Sequence, residues 1–254
     1  MQTIAEIEKA ESASGGAQME KLAPISVLDY PKHKLLMEAG SGIERAYRLQ
    51  ACEKEPWTVE FIEAIPQGSW FVDIGASTGP YTLIALANEI KVVAIEPAFE
   101  SYRRLCRNLA HNGALDKAIV LCCALASGFG YDWYHYRDIR AGAGSNVFGG
   151  DRKITWHRQL IPTWTLDMVC NGINGDDAIY IKMDVDGAED GVLAGAVETL
   201  VNPRVRGLML EIPRVKEASV MGLLTETGWQ LFRRVDNRAG VQIDQIVYLW
   251  MTRG

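Results

Sequence analysis

The stretch Trp70-Phe71-Val72-Asp73-Ile74-Gly75-Ala76-Ser77-Thr78-Gly79 decides the fold. It reads as a buried strand that runs into a tight glycine turn and then a helix, Tyr81 to Ala87. Phe71, Val72 and Ile74 form a short apolar run, as expected of a strand covered on both faces. Gly75 and Gly79 permit backbone angles and a close approach that a Cβ would block. The helix aims its free N–H groups at whatever sits over the turn. The spacing is Gly-x-x-x-Gly behind Asp73. That differs from the Gly-x-Gly-x-x-Gly of nicotinamide and flavin sites, and no Lys-Ser/Thr follows to make a P-loop.

Working outward, the chain alternates. Lys91 to Ile95 is a second apolar strand ending in Glu96-Pro97, and a helix from about Phe99 to His111 carries Tyr102, Leu105, Cys106 and Leu109 at helical spacing. Asn112-Gly113 stops it. Ala118 to Cys122 is a third strand. Alternating strands and helices imply a parallel sheet with right-handed crossovers. Alternation resumes with the strand Ala178 to Asp184, a helix expected from Asp186-Gly187 through Leu200, the strand Gly207 to Ile212 and a helix Val220 to Thr227. Val192, Leu193, Ala196, Val197 and Leu200 are its expected inward face. Trp229–Val235 and Ile243–Trp250 read as two closing strands around the turn Asp236 to Gly240. The expected fold is α/β, a mostly parallel twisted sheet with a C-terminal antiparallel hairpin and helices on both faces.

Two regions break the pattern. Residues 1–55 read as an N-terminal extension: a polar arm to about Gly16, an irregular or short-stranded wrap around Pro24 and Pro31, and a helix between Gly42 and Cys52. A helix from Pro56, with Trp57, Phe61, Ile62 and Ile65 on one face, opens the main domain, 56–254. Residues 128–162 read as a β-rich insertion: Tyr131 to Tyr136 alternates like a strand, Ala141 to Gly150 is a glycine-rich mobile tip, and Lys153 to Leu160 returns. Mobile loops at the ends of parallel strands often cover substrates.

At 254 residues, 48% hydrophobic and 23% charged, the chain suits one soluble α/β domain with an extension. A net charge of −6 disfavours tight binding to long nucleic acid. No apolar run reaches membrane-spanning length. The first residues lack a signal-peptide pattern, and the five cysteines, Cys52, Cys106, Cys122, Cys123 and Cys170, include no Cys-x-x-Cys pair, so a cytoplasmic location with reduced thiols is expected.

Glu96 ends the second strand, where an acid accepts hydrogen bonds from both ribose hydroxyls of an adenosyl cofactor. A solvated acid at a helix N-terminus is the plainer alternative. The glycine turn resembles the S-adenosylmethionine (SAM) loop of Rossmann-like class I methyltransferases. Across about Pro56 to Ile212 the chain resembles the FkbM-type methyltransferase family. The matching stretches are Asp73 to Thr82, Ala94-Ile95-Glu96-Pro97 with Tyr102, Leu105, Asn108, Leu109 and Asn112-Gly113, then Ala124 to Ser127, Thr165-Leu166-Asp167 and Ile181 to Glu189. Departures are Ser77-Thr78, where the family more often has Asn, Asp186, where it has Glu, and Cys123, where a more polar residue is common.

The resemblance implies transfer of a methyl group from SAM, leaving S-adenosylhomocysteine (SAH), to a hydroxyl of a sugar or other small molecule. Its cofactor residues would be Asp73, Gly75, Ala76, Ser77, Thr78, Gly79, Glu96, Pro97, Cys123, Ala124 and Asp184. The reaction needs alignment, exclusion of water and a base near the acceptor. Lys182, Asp184, Asp186 and Glu189 cluster at the end of the fourth strand and are the candidates, with His135 and then His157 from the insertion behind them. Glu189 can equally favour a helix N-terminus, and Lys182 can pair with Asp184 or Glu211. Mg²⁺ on Asp184, Asp186 and Glu211 is conceivable but no compact ligand pattern supports it. Trp133, Tyr134, Tyr136, Trp156 and Trp164 suit either a sugar-stacking wall or hairpin packing. Transfer to nitrogen and a non-catalytic SAM- or nucleotide-binding module are the alternatives. The oligomeric state is left open.

Overall fold

In the computed structural model, residues 23–143, 147–148, 157–236 and 246–253 are described. The polar arm, most of the glycine-rich tip, the start of the returning strand and the closing turn lie outside them.

Glycine turn and alternation do build a parallel sheet. Strands β3 (Trp70–Ile74), β4 (Lys91–Ile95), β5 (Ala118–Leu121), β10 (Ile179–Asp184) and β11 (Val205–Pro213) run parallel, and β12 (Gln230–Asp236) and β13 (Ile246–Thr252) close the edge as an antiparallel hairpin. The seven-stranded order is β12-β13-β11-β10-β3-β4-β5. The order reverses between β3 and β10, where the chain crosses to the other side of β3, so a cleft opens there at the carboxyl edge. In β3, Phe71, Val72, Asp73 and Ile74 are all buried, which is why the strand reads as continuously apolar apart from one acid.

Each face of the sheet carries an apolar core. Val72, Ile181, Leu208 and Leu249 belong to one, with helices α4 (Leu166–Asn171) and α5 (Glu189–Ala194) against it. Phe71, Ala94, Met209 and Tyr248 belong to the other, covered by α1 (Pro56–Glu63), α2 (Pro80–Ala87) and α3 (Phe99–His111). Helix α6 (Glu217–Glu226) precedes the hairpin and sends Val220 and Leu224 into the first core.

The extension is part of the second core. Leu28, Tyr30, Leu35 and Met37 pack with Phe61 and Phe71. The wrap forms a two-stranded ribbon, β1 (Ile25–Val27) against β2 (Leu36–Glu38). Two asparagines one turn apart on α3 fasten it: Asn108 Oδ1 accepts from Glu38 N at 2.8 Å, and Asn112 Oδ1 from Leu36 N at 2.9 Å. Glu38, 2% exposed, closes the contact with Arg104, Arg107 and His111. Burial raises its pKa, and hydrogen bonds from His111 and Arg107 together with the Arg104 and Arg107 charges outweigh that and hold it below the usual carboxylate range. The expected helix at 42–52 is two short pieces, a π-helical turn Glu44–Arg48 and a helical turn Ala51–Lys54.

The insertion is a second sheet. Strands β6 (Ala124–Leu125), β7 (Gly130–Tyr136), β8 (Val147–Phe148) and β9 (His157–Trp164) lie in the order β6-β9-β7-β8. The returning strand thus runs four residues further than Leu160. Ala124, Ile161, Tyr134 and Tyr136 pack with Ala98 and seat this sheet at the top of β4.

One element is shorter than expected. Helix α5 ends at Ala194 instead of running to Leu200. A Cβ on Gly195 would stand 2.2 Å from the Ala126 carbonyl, so the backbone of the insertion strand approaches where the helix stops. Thr199–Val201 forms a separate 3₁₀ turn, and Val197, expected inward, is 67% exposed because the helical register is lost before it. Thr199 N donates to Asp167 Oδ1 at 2.7 Å, so the Thr165-Leu166-Asp167 motif ties this turn to α4.

Candidate active site

The turn after β3 is held by its own backbone. Gly75 has φ +79° and Ser77 φ +52°. The N–H groups of Gly75 and Ala76 both donate to the Ile95 carbonyl, at 2.9 and 3.0 Å, which pins the turn to the end of β4. A Cβ on Gly75 would stand 1.9 Å from the Asp184 carbonyl oxygen, so this glycine is required by the neighbouring strand end. Gly79, φ +88°, is required by packing instead: its Cβ would meet Leu105 of α3 at 2.3 Å.

Above the turn lies a cleft of about 720 Å³, counted out to open solvent. Gly75, Ser77, Glu96 and Pro97 form its floor, Cys123, Ala124 and Leu125 one wall, and Asp184, Val185 and Asp186 the other. Arg48 of the extension and Tyr134 and Ala143 of the insertion complete the rim. Glu96 is 5% exposed and accepts from Ser77 N at 2.7 Å and Ala98 N at 2.8 Å. Burial raises its pKa, the two backbone N–H groups and Arg48 oppose that, and the result is about 7. Burial also pushes the Cys123 thiol up to about 12, so this wall is a small neutral surface.

Beside the cleft sits an ionic layer at the ends of β3, β10, β11 and β13. Register places Asp73 beside Lys182, Asp184 beside Glu211, and Glu211 beside Tyr248. Lys182 is 2% exposed. Its Nζ lies 3.3 Å from Asp184 and 3.8 Å from Asp73, and 5.2 Å over the Tyr81 ring. Burial works against its charge, but Asp184 and Asp73 outweigh burial and raise its pKa. Burial would raise Asp184 too, yet Lys182 and Arg48 prevail and lower it. Glu211 is driven well above the usual carboxylate range by burial and then by the Asp184 charge. Tyr81 donates to Glu55 Oε2 at 2.8 Å and closes the layer toward the extension.

The remaining sequence-marked residues take other places. Ala76, Thr78 and Gly79 belong to the turn but not to the cleft wall, and the Thr78 carbonyl accepts from Asn108 Nδ2 at 2.8 Å. Asp73 is fully buried beneath the turn and accepts from Thr82 Oγ1 at 2.7 Å. Glu189, 2% exposed, accepts from Gly187 N and Lys216 Nζ, both at 2.8 Å, and faces away from the cleft. His135, 3% exposed, alternates with Tyr134 on β7, so it lies on the opposite face of that strand from the cleft residue. Trp133 shares that face and carries Arg158 at 4.2 Å over its ring. Of the aromatic candidates, Tyr134 alone among the described residues lines the cleft. Among the described residues no three His, Cys, Asp or Glu groups gather in a metal-holding cluster, and Mg²⁺ has no support.

The cleft suits SAM on its own chemistry. The Ser77 hydroxyl is buried in the wall with no partner among the described residues, and Glu96 stands where ribose hydroxyls would be met. Sequence reading missed Arg48, Val185, Ala188 and Ala143. Arg48 carried no local signal, since its place depends on how the extension folds back.

Sheet order and cleft position define a Rossmann-like methyltransferase fold. The Methyltransferase FkbM domain matches residues 73–230, more than half the chain, and the protein belongs to that family of SAM-dependent methyltransferases. No curated protein sequence matches it. Solved structures of similar fold include the complex of aTrm5 with tRNALeu, 9% identical, TM-score 0.50, covering 91% of this chain and 54% of that one. Another is TrmK of M. capricolum with SAH, 9% identical, TM-score 0.48, covering 78% and 68%. A third is the ribosomal protein L11 methylase of Lactobacillus delbrueckii subsp. bulgaricus, 16% identical, TM-score 0.46, covering 79% and 78%. Among the described residues no helix is long and apolar enough to cross a membrane.

Proposed function

We propose that this protein transfers the methyl group of SAM to a hydroxyl of a small molecule, sugar or glycan. The observation that carries the reading is Asp184: a carboxylate at the lip of the cleft, 27% exposed, kept ionised by Lys182 at 3.3 Å. SAM supplies an electrophilic methyl on a sulfonium that already leaves well. The chain's own residues bind, align and take up a proton. Glu96 accepts the ribose hydroxyls, and Pro97, Cys123, Ala124 and Leu125 enclose the base. Asp184 accepts the proton of the acceptor hydroxyl or holds that hydroxyl in line, with Asp186 as the second acid in the same wall. Lys182, itself paired with Asp73, holds Asp184 from beneath.

The neighbours named above work on ribosomal protein and tRNA, but at 9–16% identity those likenesses speak for the fold alone. The net charge of −6 favours a small acceptor over a long phosphate backbone. A second reading, transfer to an amine, has one observation in its favour: the cleft wall holds three carboxylates, Glu96, Asp184 and Asp186, against one guanidinium, Arg48.

Asp184→Asn, assayed with methyl-labelled SAM on pools of hydroxyl and amine acceptors, should lose about 10²-fold or more in turnover. Asn is nearly isosteric, so the chain should still fold; melting and SAH affinity, measured on the same variant, separate this loss from loss of the Lys182 pair and of a cofactor contact. Turnover retained per folded molecule would remove Asp184 from the chemistry and leave Asp186 as the acid to test.

A further inference from the structure

We infer that Arg48, supplied by the N-terminal extension outside the family-matched region, binds the carboxylate at the amino-acid end of SAM. The inference rests on the reading of the cleft as a SAM site. Three independent observations carry it.

The first is the charge of the wall. Arg48 is the one cation among the residues that line the cleft, where Glu96, Asp184 and Asp186 are the acids. SAM presents an ammonium, a sulfonium and a carboxylate. The acids suit the two cationic groups, and the carboxylate needs a donor, for which a guanidinium is the best matched side chain.

The second is position. Arg48 lines the same cleft as Glu96 at the end of β4 and Asp184 at the end of β10, so the ribose acid and the strand-end acid share one cavity with its charge. With Glu96 holding the ribose, the amino-acid end extends from there toward Gly75 and Asp184.

The third is preorganisation. Arg48 Nε and one terminal nitrogen donate to the Gly142 carbonyl at 3.2 and 3.0 Å, and Gly142 N in turn donates to Ser101 Oγ at 3.1 Å. One helical turn back, Glu44 is buried and meets Arg104 at 3.0 Å. The segment is therefore fixed to α3 at one end and to the insertion at the other. The guanidinium has five N–H donors, and the Gly142 carbonyl takes two of them. The rest remain for a ligand, and no described residue accepts a hydrogen bond from them.

The test compares ligands that differ only at the amino-acid end. Calorimetry on the full chain would measure SAH, 5′-methylthioadenosine, which lacks that end, and decarboxylated SAH, which lacks the carboxylate alone. Arg48→Ala should weaken SAH about 10-fold or more, as expected for one charge-assisted pair, and leave the other two within about 3-fold. Arg48→Lys keeps the charge without the fork and should fall between wild type and Arg48→Ala. Equal weakening of all three ligands in both variants would overturn the inference, because Arg48 would then only support the fold. Unchanged SAH affinity in Arg48→Ala would overturn it as well. Failure of the wild-type protein to bind SAH at all would instead overturn the reading of the cleft.

Discussion

Strands β4 and β10 both end in an acid at the same edge of the sheet, and the two acids are in opposite states. Glu96 is enclosed by backbone N–H groups with no paired cation at contact distance among the described residues, and its pKa rises to about 7. Asp184 has Lys182 at 3.3 Å and stays ionised. The difference teaches how one sheet edge assigns two tasks. An acid poised near neutrality is suited to neutral hydroxyls. An acid clamped by a buried ammonium keeps its charge in a cleft that closes over a cation. Glu211, next to Asp184, shows the cost of lacking the clamp: burial drives its pKa well above the usual carboxylate range.

The largest way to break the comparison is to remove the clamp. Lys182→Met leaves Asp73 and Asp184 buried without their cation, and should destabilise the fold by about 3–5 kcal/mol. Urea unfolding measures it. Adding Asp73→Asn to that variant should restore part of the loss, and a single-variant loss under about 1 kcal/mol would show that Lys182 is not what holds the layer.

Gly75→Ala strikes where the two strand ends touch. The new Cβ would collide with the Asp184 carbonyl in a left-handed turn, at a cost of about 3 kcal/mol from overpacking and backbone strain together. Melting and SAH affinity should fall together. Loss of SAH binding with unchanged stability would instead give Gly75 the task of leaving cofactor space.

The smallest effect sharpens the comparison by pH. Because ribose hydroxyls are bound by the ionised form of Glu96, SAH affinity should rise about 10-fold between pH 6 and pH 8, following a group with pKa about 7. Stability runs the other way. The folded state keeps a proton on Glu96 that the unfolded chain has lost by about pH 4.5, so this group's contribution falls as pH rises from about 4.5 to about 7. Glu96→Gln should flatten both profiles. An affinity independent of pH in the wild-type protein would mean that Glu96 stays ionised throughout.

The sequence by itself determined the alternating parallel sheet, the glycine turn, the acid after β4 and the acids after β10. These are local signals: apolar runs of strand length, helical spacing and glycines at a strand–helix junction all act between residues close in the chain. Tertiary structure decided the rest. It ended α5 at Ala194, because the backbone of Ala126 arrives at Gly195 from a distant strand. It made Asn108 and Asn112 fasteners of the extension, turned His135 away from the cleft and brought Arg48 into it. Above all it set the charge states, since Asp73, Lys182, Asp184 and Glu211 acquire theirs from burial and from the partners that folding gathers around them. Charge state depends on distance and on exclusion of water, and spacing along the chain records neither.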